Sequence, residues 1–179
     1  YSAWVKGDHV RAAEQARVAL ERARDEGRMV RAFAANALGS ALAECGDLTG
    51  AEQALNEAIE LAGYETHVGL LALGTLSYVL ARQGRLAQAE RLCRDALGMT
   101  ARNGSLQNAR LPAAGNTMAN LSAVLLEQNE LEEAARLAEQ GVALGKRWGQ
   151  ADTITYCSMQ LAEVRHAMGD EGGAAAALE

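Results

Sequence analysis

A short interval that recurs along the chain constrains its fold more than any single motif. Gly7-Asp8-His9-Val10-Arg11-Ala12, Gly46-Asp47-Leu48-Thr49-Gly50-Ala51, Gly84-Arg85-Leu86-Ala87-Gln88-Ala89, Asn129-Glu130-Leu131-Glu132-Glu133-Ala134 and Gly169-Asp170-Glu171-Gly172-Gly173-Ala174 each place Gly or Asn five residues before Ala. Successive copies start 39, 38, 45 and 40 residues apart. A period near 40 belongs to helix-pair solenoids, whose units cannot bury a core alone and must stack. Gly27, Gly63, Gly104 and Gly149 follow the first four turns by 20, 17, 20 and 20 residues. Each is predicted to close the second helix of a pair, where a left-handed residue is commonly needed and Gly meets no Cβ clash.

Small residues mark where two helices approach closely. Gly39, Ser77, Ser122 and Ala162 stand seven residues before a turn, and Ala12, Ala51, Ala89, Ala134 and Ala174 five after one. Larger side chains there would push packed helices apart. Leu38, Leu42, Leu55, Leu76, Leu80, Leu121, Leu125 and Leu161 fill the layers between them at helical spacing. One Pro, one Phe and few β-branched residues leave little from which to build strands. The expected fold is therefore all-α: a right-handed superhelix of antiparallel helix pairs, about nine helices in one domain over residues 1–179. Partial repeats are expected at both ends, a first helix in Tyr1 to Lys6 and a second in Gly172 to Glu179, which reads as an internal fragment of a longer chain.

Charge and composition remove several functions. A formal charge of -6 argues against direct nucleic-acid binding, which needs clustered Lys and Arg. No apolar run reaches the roughly 18 to 20 residues that span a bilayer, and the first residues lack the shape of a signal peptide. Cys45, Cys93 and Cys157 have no metal or redox spacing, so they read as buried small residues in a reducing, cytoplasmic compartment. His9, His67 and His166 have no second ligand at metal spacing; His166 shares a helical face with Glu163, which suggests a surface hydrogen-bonded pair. The chain reads as a non-enzyme with no cofactor and no metal.

Turn register predicts an inner face lined by first helices. Its candidate binding residues are Phe33, Asn36 and Ser40; Leu71, Gly74 and Tyr78; Asn116, Ala119, Asn120 and Ala123; and Tyr156, Met159 and Glu163. Small residues beside aromatics and amides make a groove for an elongated small effector or a partner protein. Glu90 with Arg94, and Glu132 with Arg136, are four apart and mark a solvated outer face. Arg82, Arg85, Arg91, Arg94 and Arg102 form a weak basic run on it. Trp148 is expected to plug a seam to the next pair. The long third interval places about five extra residues in a loop over Ser105 to Pro112, with Pro112 in the first turn of the helix that follows.

The small-Leu-Gly-Ala pattern resembles the tetratricopeptide repeat. "GRLAQAERLCRDAL" (Gly84 to Leu97), "LPAAGNTMANLSAVLLEQNELEEAARLAEQGVALGKRWG" (Leu111 to Gly149) and "LAEVRHAMGD" (Leu161 to Asp170) are similar to the repeat domain of large LuxR-family regulators of the MalT-like type. The chain keeps the family's Pro112, Gly115, Glu127, Asn129, Leu131, Gly141, Leu144, Trp148 and Gly149, and departs at Leu126 and Gln128, where the family often carries Tyr and Trp or Arg. The resemblance implies an ATP-binding switch module on one side, a helix-turn-helix DNA-binding domain on the other, and a sensor role between them. These 179 residues contain no GxxxxGK[ST] stretch and no basic recognition helix. The competing expectation is a generic repeat adaptor that binds a peptide or helix, and a homo-oligomer is compatible with either.

Overall fold

The computed structural model describes residues 8–64, 66–102 and 107–179, with the side chains of 99–102 and 107–113 left aside. The expectations for Tyr1 to Lys6, Gly7 and Gly104 lie outside the described residues. The described residues form nine α-helices and no strand. They are α1 (His9–Arg22), α2 (Arg28–Cys45), α3 (Leu48–Ala62), α4 (His67–Arg82), α5 (Leu86–Arg102), α6 (Gln107–Glu127), α7 (Leu131–Trp148), α8 (Ala151–Ala167) and α9 (Glu171–Ala177).

The recurring turn works through two residues with different jobs. Gly46, Gly84 and Gly169 have φ of 84°, 77° and 79°, and Asn129 stands in for them at 62° as the one described non-Gly residue with positive φ. Asn tolerates that region better than most side chains. The reversal lets the next amide reach back to a free helix-end carbonyl: Asp47 N–H to Leu42 at 3.0 Å, Glu130 N–H to Leu125 at 2.8 Å and Asp170 N–H to Arg165 at 2.9 Å. The Asp then caps the following helix. Asp8, Asp47 and Asp170 accept from the amides of Arg11, Gly50 and Gly173 at 3.1, 2.9 and 2.8 Å.

Two landmarks depart from expectation. Gly63 and Gly149 close second helices with φ of 81° and 64°, but Gly27 has φ of -64° and instead precedes α2 as its N-cap. The 3-10 turn Ala23–Asp25 already unwinds the end of α1, so no left-handed residue is needed there. The long third interval also extends a helix: α6 starts at Gln107 and runs for 21 residues, with Pro112 as its sixth. Pro112 gives up one amide of the ladder, while Gln107, Ala109, Arg110 and Leu111 around it favour helix.

The chain divides into two compact units, Tyr1–Gly84 and Arg85–Glu179. In the first, α2 lies against α3 because Gly39 leaves no gap: a Cβ there would fall 2.5 Å from Leu55 Cγ. In the second, the Ser122 hydroxyl donates to the Ala134 carbonyl at 2.8 Å, joining the small positions of α6 and α7. Three glycines then receive α8. A Cβ on Gly115, Gly141 or Gly145 would lie 2.5 Å from Thr153 Cγ2, 2.5 Å from Cys157 Sγ and 2.8 Å from Ile154 Cγ1. The eight Leu residues predicted to fill the layers are all buried.

Polar staples recur where neighbouring pairs meet. Gln83, the residue before the Gly84 turn, donates to Glu52 at 3.0 Å; Gln128, the residue before Asn129, donates to Glu90 at 3.2 Å. Each Glu stands six residues after the preceding turn, so one register produces both contacts. Gln128 is thus occupied where the MalT-like pattern often has another residue. Leu126 packs against the core of Cys93, Leu121, Leu125, Ala134 and Val164.

Replacing Gly39 by Val overfills the α2 to α3 contact and is expected to cost about 1–3 kcal/mol. Gly27→Ala meets nothing within 4 Å at an ordinary φ, so it overfills no contact, and its expected cost is only that of a poorer N-cap residue, below about 1 kcal/mol. Urea unfolding of both variants measures the contrast; equal losses would contradict the close-approach reading.

Candidate functional site

First helices supply the candidate binding residues, and the two units present different chemistry. In the first unit Phe33 is 51% exposed. Asn36 is half-buried, and its Oδ1 is enclosed without a partner. The Ser40 hydroxyl is used on the Asn36 carbonyl at 3.0 Å, and Ser40 lines a cleft between α1 and α2. Leu71 is half-buried and Gly74 buried. Tyr78 accepts from Arg82 Nη1 at 3.1 Å, with the guanidinium 5.7 Å from the ring centroid. That hydrogen bond is the main reason the Arg82 pKa is raised.

In the second unit the structure brings candidates together across helices. Tyr156 on α8 donates its hydroxyl proton to Asn120 Oδ1 on α6 at 2.6 Å. Asn116, one turn before Asn120, is half-buried with its Oδ1 enclosed and unpartnered. Met159 is 50% exposed and Ala123 half-buried, so an apolar contact is available beside the amides. Asn120 and Ala119 are buried, which corrects the expectation that both face a groove: Asn120 works through Tyr156, and Ala119 belongs to the core. Glu163 is exposed and accepts from Gln160 at 3.1 Å.

Several pairings differ from expectation. His166 lies 2.8 Å from Glu171 Oε1 and does not pair with Glu163, because the tight Gly169 turn brings the start of α9 beside the end of α8. Arg136 pairs with Glu133 at 3.5 Å and not with Glu132. The basic run is no continuous patch: Arg82 sits on Tyr78, Arg85 on Gln88 and Arg94 between two carboxylates, and the Arg102 side chain lies outside the described ones. Cys45 is exposed because it ends α2, whereas Cys93 and Cys157 are buried. Trp148 is half-buried with its indole N–H enclosed and unpartnered, and Arg147 lies 5.9 Å from the ring centroid.

The outer helices carry the most developed charge network. Arg94 on α5 donates to Glu90 at 2.8 Å and reaches Glu133 on α7 at 3.1 Å, while Glu90 also accepts from Gln128. Hydrogen bonds from Arg94 hold both carboxyl groups below their usual range. Sequence spacing showed the Glu90 to Arg94 link but not the longer one, since Arg94 and Glu133 are 39 residues apart. Cys157 donates its thiol to the Gly115 carbonyl at 3.4 Å, and burial pushes its pKa up to about 11. Among the described residues no group of three His, Cys, Asp or Glu could hold a metal, and no helix is long and apolar enough to cross a membrane.

Antiparallel helix pairs with left-handed Gly or Asn turns and small contact residues define an all-α solenoid of tetratricopeptide-like repeats. Residues 2–179 match the MalT-like TPR region, and the chain belongs to that family. Among solved structures it is similar to BtubC (BKLC) from P. vanneervenii, with a TM-score of 0.70 and 20% identity over 98% of this chain and 72% of that one. It is also similar to nearly identical TPR-like repeats of a putative kinesin light chain from Podosopora anserina: TM-score 0.65, 18% identity, 99% of this chain and 87% of that one. A single-substitution form of those repeats gives a TM-score of 0.67 and 17% identity, over 99% of this chain and 86% of that one. No curated protein matches. Repeat modules of this type are generally non-catalytic and serve protein interaction or sensing.

Two outcomes follow from the thiols and the Arg94 network. In the native protein a thiol reagent such as Ellman's is expected to titrate Cys45 rapidly, with Cys93 and Cys157 reacting only on unfolding; immediate reaction of all three would contradict the packing. Arg94→Met is expected to lower stability by about 1 kcal/mol at neutral pH and low salt, the network being partly exposed. Because the carboxyl pKa values are depressed in the folded state, that difference is present above the carboxylate range and fades as pH falls below about 4. Urea titrations of both proteins across pH measure it.

Proposed function

We propose that this chain is the sensing module of a MalT-type, LuxR-family transcription regulator working in the cytoplasm. It binds an effector or partner protein on its first-helix faces, and occupancy favours one arrangement of neighbouring ATP-binding and helix-turn-helix modules. The family match over residues 2–179 carries this reading. The Tyr156 to Asn120 bond, the enclosed Asn116 oxygen and exposed Met159 support a recognition role for the second unit. A phenol and carboxamides supply directional contacts, and Met supplies an adaptable apolar one. The module itself performs no catalysis.

Thermal shift against a metabolite panel tests the reading. A ligand at 100 times its dissociation constant adds about 2.7 kcal/mol of stability. The expected result is a stabilising metabolite whose effect is lost in a Tyr156→Ala, Met159→Lys variant that still folds. No stabilisation by any metabolite, together with a gene that encodes neither a P-loop module nor a helix-turn-helix beside these residues, would contradict the regulator and favour a repeat adaptor for a peptide or helix.

A further inference from the structure

In the second unit two stripes of one pattern run side by side along the first helices. On α6, Asn116, Asn120, Ala123 and Glu127 follow one another at spacings of 4, 3 and 4 residues, and on α8 Asp152, Tyr156, Met159 and Glu163 repeat those spacings. Residues so spaced share one face of a helix. The Tyr156 to Asn120 bond and the seat of Thr153 against Gly115 hold the stripes beside each other.

The chemistry changes along them. Asp152 is exposed at one end and Glu127 and Glu163 at the other; between stand the Tyr156 ring, Ala123 and the half-exposed Met159. Eleven residues separate Asp152 from Glu163, about 16 Å of helix. Among the described side chains of α6 and α8, Arg165 is the one Lys or Arg, and it is turned away to Glu139 on α7 and Asp170 before α9, at 2.7 and 3.4 Å. Asn116 adds a carboxamide oxygen without a partner, which a rotation of the side chain would bring outward to accept an N–H. The corresponding face of the first unit balances its own charge. There Glu44 on α2 attracts Arg82 on α4, whose guanidinium also lies over the Tyr78 ring.

We propose that this face of the second unit binds an elongated aliphatic polyamine. Its terminal ammonium groups meet Asp152 at one end and Glu127 with Glu163 at the other, and an inner ammonium lies over the Tyr156 ring, as Arg82 lies over Tyr78. The methylene stem rests on Ala123 and Met159. The ligand thus supplies the positive charge that the first unit provides from its own chain. The assignment rests on the reading that this face recognises a ligand, and adds the charge and length of that ligand.

Spermine is the probe, titrated into the chain at about 0.15 M salt, with calorimetry and the Met159 methyl resonance as readouts. One saturable site that shifts the Met159 methyl is expected. Asp152→Asn and Glu163→Gln, both at exposed positions, are each expected to weaken it at least about fivefold, and Tyr156→Leu at least about tenfold. Glu132→Gln, on the outer face of α7, is expected to leave it unchanged, and circular dichroism checks the fold of every variant. Diaminopropane, too short to reach both ends, is expected to bind at least about tenfold more weakly than spermine. No saturable binding of spermine, or equal losses in Glu132→Gln and Glu163→Gln, would overturn the proposal. So would tighter binding of a tetralysine peptide, since a basic polypeptide would then be the occupant. Neutral tetraethylene glycol or a linear dicarboxylate shifting Met159 while spermine does not would overturn the polyamine and leave ligand recognition by this face standing.

Discussion

Close approach between packed helices at small residues is the contact from which the rest of each unit follows. Gly39 of α2 lies against Leu55 and Ala51 of α3, Ser122 of α6 bonds the Ala134 carbonyl of α7, and Gly115 with Gly141 receives α8, each nearer than a larger side chain would allow. Interiors are packed to crystal density, so this distance determines which larger side chains fit beside the contact. Leu38, Leu42, Leu121 and Leu125 take those places and are buried. Residues on the first helices away from the contact are then left for other work, and Phe33 and Met159 stay half exposed.

Polar groups refine this arrangement without carrying it. The staples Gln83 to Glu52 and Gln128 to Glu90 join neighbouring pairs at their turns, and Arg94 links α5 to α7 above an apolar cluster. Each such contact is partly exposed and individually weak. They fix register more than they supply stability. The Tyr156 to Asn120 bond is different in kind, because it spans two first helices and ends on a buried amide. It orders the face from which the second unit is proposed to recognise its ligand.

Repetition made most of the fold legible, since the four turns among the described residues repeat one geometry. Gly46, Gly63, Gly84, Gly149, Gly169 and Asn129 all adopt the positive φ that a helix end in this pattern requires. Local alternatives won at two places: a 3-10 turn closed α1 before Gly27, although Gly63 and Gly149 keep the repeated pattern, and α6, in the one lengthened interval, ran through Pro112. The candidate site was legible only in part. Register located Tyr156, Met159 and Asn116, but whether a side chain a few tens of degrees around the helix is buried depends on the neighbouring helix, as Ala119 and Asn120 show. Contacts between residues 31 to 39 positions apart, such as Gln83 to Glu52 and Arg94 to Glu133, carry no local spacing signal and emerge only from comparing repeats by register.

The central claim is that close-approach seams, and not the charge networks, hold the helix pairs together. Native-state amide hydrogen exchange tests it most directly, because slow exchange marks the last structure to open. The account predicts the slowest amides around Gly39, Leu42 and Leu55 in the first unit and around Leu121, Leu125 and Ala138 in the second, with α1 and α9 opening early. Protection that instead peaks at Glu90, Arg94 and Glu133, and falls when salt screens them, would contradict it.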